Sequence, residues 1–105
     1  MDVRLLVVPQ CPHEHAAAQL LRTVLDDVGL AQVAVTTVVI SDERQAAREG
    51  FPGSPTITID GVDPFAEPDQ PTALACRMYR TSAGLSGTPD RSALHDAVKR
   101  AATLA

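Results

Sequence analysis

The chain has 105 residues, of which 45% are hydrophobic and 21% charged, with a formal net charge of −4. That is one domain's worth of sequence, able to bury about 65% of its unfolded surface in a single core. Scattered basic residues under a net negative charge exclude a nucleic-acid footprint and an anionic-membrane anchor, and no apolar run approaches the roughly 20 residues that span a bilayer.

Aromatic residues make up 3% of the chain and Trp is absent, so the core is expected to be aliphatic. The start of the chain runs directly into a strand pattern and lacks the succession of regions that marks a signal peptide. The expectation is therefore a cytoplasmic protein whose two cysteines, Cys11 and Cys76, are reduced thiols.

Val3 to Val8 is a short apolar run rich in β-branched residues, which fits a strand buried on both faces, and Pro9 ends it. Pro12 to Val28 reads as a helix with Pro12 at the first position. Ala16, Ala17, Leu20, Leu21, Val24 and Leu25 form one apolar face, and Gly29 caps the C-terminus. Gln32 to Ile40, rich in Val and Thr, reads as a second strand. Ser41 caps a short helix that runs to Glu49, with Asp42 and Glu43 in its first turn and Gly50 at its end.

A turn-rich link, Phe51 to Pro55, leads into a third strand, Thr56 to Ile59, closed by the Asp60-Gly61 turn. Pro64 to Pro71 reads as a surface loop. The nearby acidic residues Asp60, Asp63, Glu67 and Asp69 lack the spacing of a calcium loop and read as solvated. Ala75 to Arg80 is a weaker fourth strand and Ser82 to Gly87 a loop. Thr88-Pro89-Asp90 opens the last helix, whose buried stripe is Leu94, Ala97, Val98, Ala101 and Leu104. The order is β-α-β-α-β-β-α across a single domain, residues 1–105. The first two strands are parallel through a right-handed crossover and the last two antiparallel, giving an α/β, four-stranded mixed sheet with helices on both faces.

Cys11 lies between the first strand and the first helix, in Gln10-Cys11-Pro12-His13-Glu14-His15. As the N-cap it would be exposed, with free N–H groups and a partial positive charge that favour the thiolate, the nucleophile of disulfide exchange. A charged His13 would help and Glu14 would oppose. Cys11, His13 and His15 also invite a metal reading. Positions two apart on a helix diverge, so only Cys11 and His15 share a face, and two ligands do not close a structural site. These histidines, and His95 on the last helix, read as surface residues. Cys76, at the start of the fourth strand, is placed toward the opposite end of the sheet from Cys11. There it reads as a small buried residue beyond disulfide reach.

The element order, Cys11 at the first strand-to-helix turn and Ser54-Pro55-Thr56 before the third strand together resemble the thioredoxin superfamily, over essentially the whole chain. The length is similar to that of glutaredoxins and of small bacterial thioredoxin-like proteins, some of which carry an alkylmercury-lyase label. The resemblance implies a cis Pro55 beside the active cysteine. It further implies that Pro12, Ser54, Pro55 and Thr56 position the incoming disulfide, with the Ser54 backbone taking part. Gly87 and Asp90 loosely match the turn and carboxylate with which glutaredoxins hold the glutathione tail. They also read simply as a flexible turn and a helix start.

The departure from the family pattern is Glu14, which stands where Cys-x-x-Cys proteins have their second cysteine. The leading expectation is therefore a monothiol oxidoreductase. Cys11 would be the nucleophile, a low-molecular-weight thiol such as glutathione or mycothiol, or a protein disulfide, the partner, and no bound cofactor would be needed. The alternatives are a non-catalytic module that binds a metal ion or a protein partner and, third, an alkylmercury-lyase-like protein, whose chemistry needs a pair of thiols.

Overall fold

The computed structural model describes residues 1–104; Ala105, the last residue of the expected 1–105 domain, lies outside them. A three-stranded sheet in the order β2-β1-β3 has the first strand at its centre. β1 (Val3–Val7) runs parallel to β2 (Val35–Val39), from Val3 opposite Val35 to Val7 opposite Val39. It runs antiparallel to β3 (Thr56–Ile59), from Leu6 opposite Thr56 to Val3 opposite Ile59. A central strand is covered on both faces, which accounts for its apolar run. Val3, Leu5 and Val7 join one core cluster and Leu6 joins the other, leaving Arg4 as the exposed member.

α1 (Glu14–Asp27) and α3 (Arg91–Leu104) pack together on the face of Val3, Leu5 and Val7, through Ala17, Leu21, Val24 and Leu25 and through Leu94 and Val98. α2 (Glu43–Glu49) covers the other face through Ala46, which packs with Ile40, Phe51 and Leu6. Each fully buried Leu, Ile or Val contributes roughly 1.5–3 kcal/mol relative to exposure. The core is mainly aliphatic, as expected, but its largest fully buried side chain is Phe51, and Tyr79 is buried as well. The sheet is mixed and helices lie on both faces, as the sequence leads one to expect. The α3 stripe ends earlier than expected, since Leu104 is 87% exposed.

The helix ends follow from local chemistry. Gly29 (φ 82) closes α1, with its N–H donating to the Asp26 carbonyl and that of Leu30 to the Leu25 carbonyl, which satisfies two orphan acceptors. The Arg22 guanidinium then ties down the carbonyls of Leu30, Ala31 and Val33 at 3.2, 3.1 and 2.7 Å, fixing the path from α1 to β2. The cap of α2 is Asp42, not Ser41: its carboxylate accepts from the Gln45 N–H at 2.7 Å, while the Gln45 side chain accepts from the Ser41 N–H. A carboxylate at the cap gains from the helix dipole as well as from the hydrogen bond.

The expected fourth strand of the sheet does not form. Of Ala75–Arg80 only the end is extended, as β4 (Tyr79–Thr81), and it pairs with β5 (Gly84–Ser86) in a separate antiparallel hairpin. The segment expected as the Ser82–Gly87 loop therefore contains a strand, and the third and fourth strands do not pair. The reason lies in Arg77. It is 4% exposed and turns its side chain onto Thr56 of β3, so the chain from Ala75 to Arg77 touches the sheet through one isolated parallel bridge, Ser54 to Cys76, and then leaves it. No helix is long and apolar enough to cross a membrane among the described residues.

Candidate functional site

Three segments meet at the end of the sheet where β1 finishes and β3 begins. The first runs from Val8 to His13. Gln10 takes a left-handed backbone (φ 60) and turns the chain away from the line of β1. α1 starts at Glu14, with His13 as its N-cap, so Cys11 is not the cap and exposed Pro12 is not the first helical residue. The Glu14 N–H reaches back only as far as the Cys11 carbonyl, at 3.3 Å, and the first full helical bond runs from Ala17 to His13. Cys11 thus sits in a tighter turn ahead of the helix, a longer way from the dipole than expected. The turn also corrects its exposure: Cys11 is 9% exposed and belongs to the core cluster with Val7, Ala17 and Leu94.

The second segment is Gly53-Ser54-Pro55-Thr56, buried throughout, with a cis Ser54–Pro55 bond. The Ser54 hydroxyl accepts from the Val8 N–H at 3.1 Å and so joins this turn to the Cys11 segment. The Thr56 hydroxyl donates to the Gly53 carbonyl at 2.7 Å and accepts from Arg77 at 3.1 Å.

The third segment, Ala75 to Arg77, is laid against the second like a strap. The Ser54 N–H donates to the Ala75 carbonyl at 2.8 Å, and the Ser54 carbonyl accepts from the Arg77 N–H at 2.9 Å. Both Ser54 backbone groups expected to hold an incoming disulfide are therefore occupied by the chain itself. Gly53 makes this approach possible. Its φ is +147, and a Cβ there would stand 3.0 Å from the Arg77 Cβ and 3.1 Å from the Ala75 carbonyl oxygen.

Cys76 lies on the strap between those two hydrogen bonds. It is exposed, and it pairs with Ser54 at the β1–β3 end of the sheet that also carries the Cys11 segment. Both expectations for it, burial and a place toward the far end of the sheet, are overturned for one physical reason: the segment is a strap across the Pro55 turn rather than a strand of the sheet. Both cysteines are free thiols.

A buried polar network supports the strap, and the sequence reading missed it. The Arg77 guanidinium meets the Asp63 carboxylate at 2.7 and 3.4 Å, the Phe65 carbonyl at 2.7 Å and the Thr56 hydroxyl. It also lies 4.5 Å from the centre of the Tyr79 ring, against which Phe65 packs edge-on. The Tyr79 hydroxyl donates to the Pro55 carbonyl. Burial holds this phenol well above its ordinary pKa, an effect that nearby Arg77 opposes and Asp63 reinforces. Asp63, read as solvated, is instead the counter-ion of a buried arginine, with 15% of its side chain exposed. Its only sequence signal was one acidic residue among several.

Gly87 and Asp90 are engaged within the chain. A Cβ on Gly87 would fall 2.6 Å from the His13 imidazole, so that ring covers the glycine. The Asp90 carboxylate accepts from the Ser82 N–H and hydroxyl at 2.9 and 3.4 Å, and its carbonyl receives the first helical bond of α3 from Leu94 at 3.0 Å. His15 is exposed on α1, and no group of three metal-binding side chains forms among the described residues. Compared with known protein families, with curated proteins and with solved structures, the chain gives no match.

Proposed function

We propose that this chain is a thioredoxin-like monothiol protein that exchanges disulfides through Cys11. The observation that carries the reading is the hydrogen bond from the Val8 N–H to the Ser54 hydroxyl. It ties the segment bearing the thiol to the turn that the thioredoxin resemblance assigns to the incoming disulfide. In the exchange the Cys11 thiolate attacks one sulfur of a disulfide RS–SR. A Cys11–S–S–R bond forms, the RS–SR bond breaks, and RS⁻ leaves to take up a proton. The partner class is a low-molecular-weight disulfide such as that of glutathione or mycothiol, or a protein disulfide. With Cys11 only 9% exposed, a small or extended partner suits the site better than a bulky one.

The test uses the Cys76→Ser variant, which leaves Cys11 as the sole thiol. Oxidised glutathione is added to the folded protein and the product mapped by mass spectrometry. The reading expects a glutathione adduct on Cys11. It fails if folded protein gives no adduct while the same variant in urea does.

A second reading gains from the position of Cys76. Alkylmercury-lyase-like chemistry needs two thiols, and Cys76 comes to the end of the sheet that carries Cys11. It expects one mercuric ion per chain in native mass spectrometry, lost in both Cys11→Ser and Cys76→Ser; retention in either variant refutes it.

A further inference from the structure

We propose that Cys76 is the resolving thiol for Cys11, carried on the strap rather than on the helix turn, and that the two close an intramolecular disulfide during turnover. The inference rests on the exchange reading above and adds the step that ends it.

Three backbone positions stand side by side at this end of the molecule. Val8 follows β1, Ser54 is hydrogen-bonded to Val8 through its hydroxyl, and Cys76 is bridged to Ser54 through both flanking peptide groups. Ser54 and Cys76 are bridged at about the 4.8 Å spacing of neighbouring strands, and Val8 lies within hydrogen-bond reach of the Ser54 hydroxyl. Cys11 follows Val8 by a turn at Gln10 and not by an extended run, which keeps its thiol at this end. Cys76 is exposed, and its strap is held by the two Ser54 backbone hydrogen bonds of one isolated bridge and by the anchored Arg77 beside it. Bringing its sulfur to Cys11 takes a local shift that breaks the two Ser54 hydrogen bonds flanking Cys76 but unfolds no ladder of the three-stranded sheet. A disulfide requires Cα atoms about 4.4–6.8 Å apart, and that shift is what would supply the distance.

The arrangement also accounts for two facts that the one-thiol reading leaves idle. The Ser54 N–H and carbonyl are taken by Ala75 and Arg77, so the residue held against the Pro55 turn is the chain's own Cys76. The strap is also fixed in register by a buried arginine and a glycine that a Cβ would displace. Fixing the register fixes which residue faces Ser54, and that residue is a cysteine.

The chemistry balances with the oxidant already named. A disulfide RS–SR is attacked by Cys11, giving Cys11–S–S–R and RS⁻. The Cys76 thiolate, its proton lost to solvent, then attacks the Cys11 sulfur. The Cys11–S–S–R bond breaks, the Cys11–S–S–Cys76 bond forms, and a second RS⁻ leaves. The protein is oxidised by two electrons and RS–SR is reduced to two thiols.

The experiment follows oxidised glutathione added to wild type and to Cys76→Ser, quenched in acid at successive times and read by intact mass and peptide mapping. Wild type is expected to pass through a glutathione adduct to a monomer two hydrogens lighter than the starting protein, with a linked Cys11–Cys76 peptide. Cys76→Ser is expected to stop at the Cys11 adduct. A wild-type adduct that persists as long as that of Cys76→Ser, or a disulfide-linked dimer in place of the linked peptide, overturns the inference and leaves the exchange reading standing. Absence of a Cys11 adduct in Cys76→Ser overturns both.

Discussion

Replacing Asp63 by alanine removes the carboxylate shared by two nitrogens of Arg77, at 2.7 and 3.4 Å. The arginine side chain is 3% exposed, so its charge keeps only the Thr56 hydroxyl, the Phe65 carbonyl and the face of Tyr79 as partners. Breaking a buried pair by deleting one member costs about 3–5 kcal/mol, because the other charge is left without compensation. The Asp63 side chain is 15% exposed, so water can enter the vacated space, and the expected loss is at the lower end, about 3 kcal/mol. With about 4–8 °C of melting temperature per kcal/mol in a domain of this size, the variant should melt about 12–24 °C lower. Urea titration followed by far-ultraviolet circular dichroism measures the change directly. The double variant Asp63→Ala with Arg77→Met removes both charges and should lose clearly less than the sum of Asp63→Ala and Arg77→Met made singly. The Asp26→Ala control breaks the solvent-exposed pair with Arg22 and should be nearly silent. An Asp63→Ala loss no larger than that of Asp26→Ala, or strict additivity in the double variant, refutes the reasoning.

Tyr79 is the single tyrosine, so its phenolate absorbance reports on one buried site. Its folded pKa is raised above the unfolded value near 10, so its contribution to stability is complete below that value and declines as pH rises above it. Phenolate absorbance should therefore appear together with loss of the circular dichroism signal, and a phenolate formed in still-folded protein at pH near 10 contradicts the burial argument. The two crowded glycines should behave differently, although the contact at Gly87 is the shorter. Gly53→Ala meets backbone and a Cβ at 3.0–3.1 Å and demands an unfavourable φ, so it should destabilise by about 1–3 kcal/mol and speed alkylation of Cys76 as the strap loosens. Gly87→Ala meets only the His13 imidazole, a side chain that can rotate away, so it should shift the His13 resonances with a stability loss below about 1 kcal/mol. Equal losses at the two positions contradict this account.

The sequence by itself determined the parts that depend on near neighbours. Three helices, the central and flanking strands of the sheet, the glycine ends of α1 and α2 and the aliphatic core all follow from periodicity and capping, interactions that span a few residues. Cys11 was legible as a thiol at a strand-to-helix turn for the same reason. Its burial was not, because a two-residue shift of the helix start carries the residue from the cap into the core, and that depends on what packs behind it.

Tertiary structure decided the fate of residues 75–80. Read locally, they suggest a weak strand. In the fold, Arg77 is pulled inward by Asp63, distant in sequence, and Tyr79 by the carbonyl of Pro55, so the segment becomes a strap with Cys76 on its outer side. A buried arginine is stable only where its partners converge, and no pattern along the chain shows whether they do. The position of Cys76 beside Ser54, and with it the second thiol at the Cys11 end, comes from that convergence.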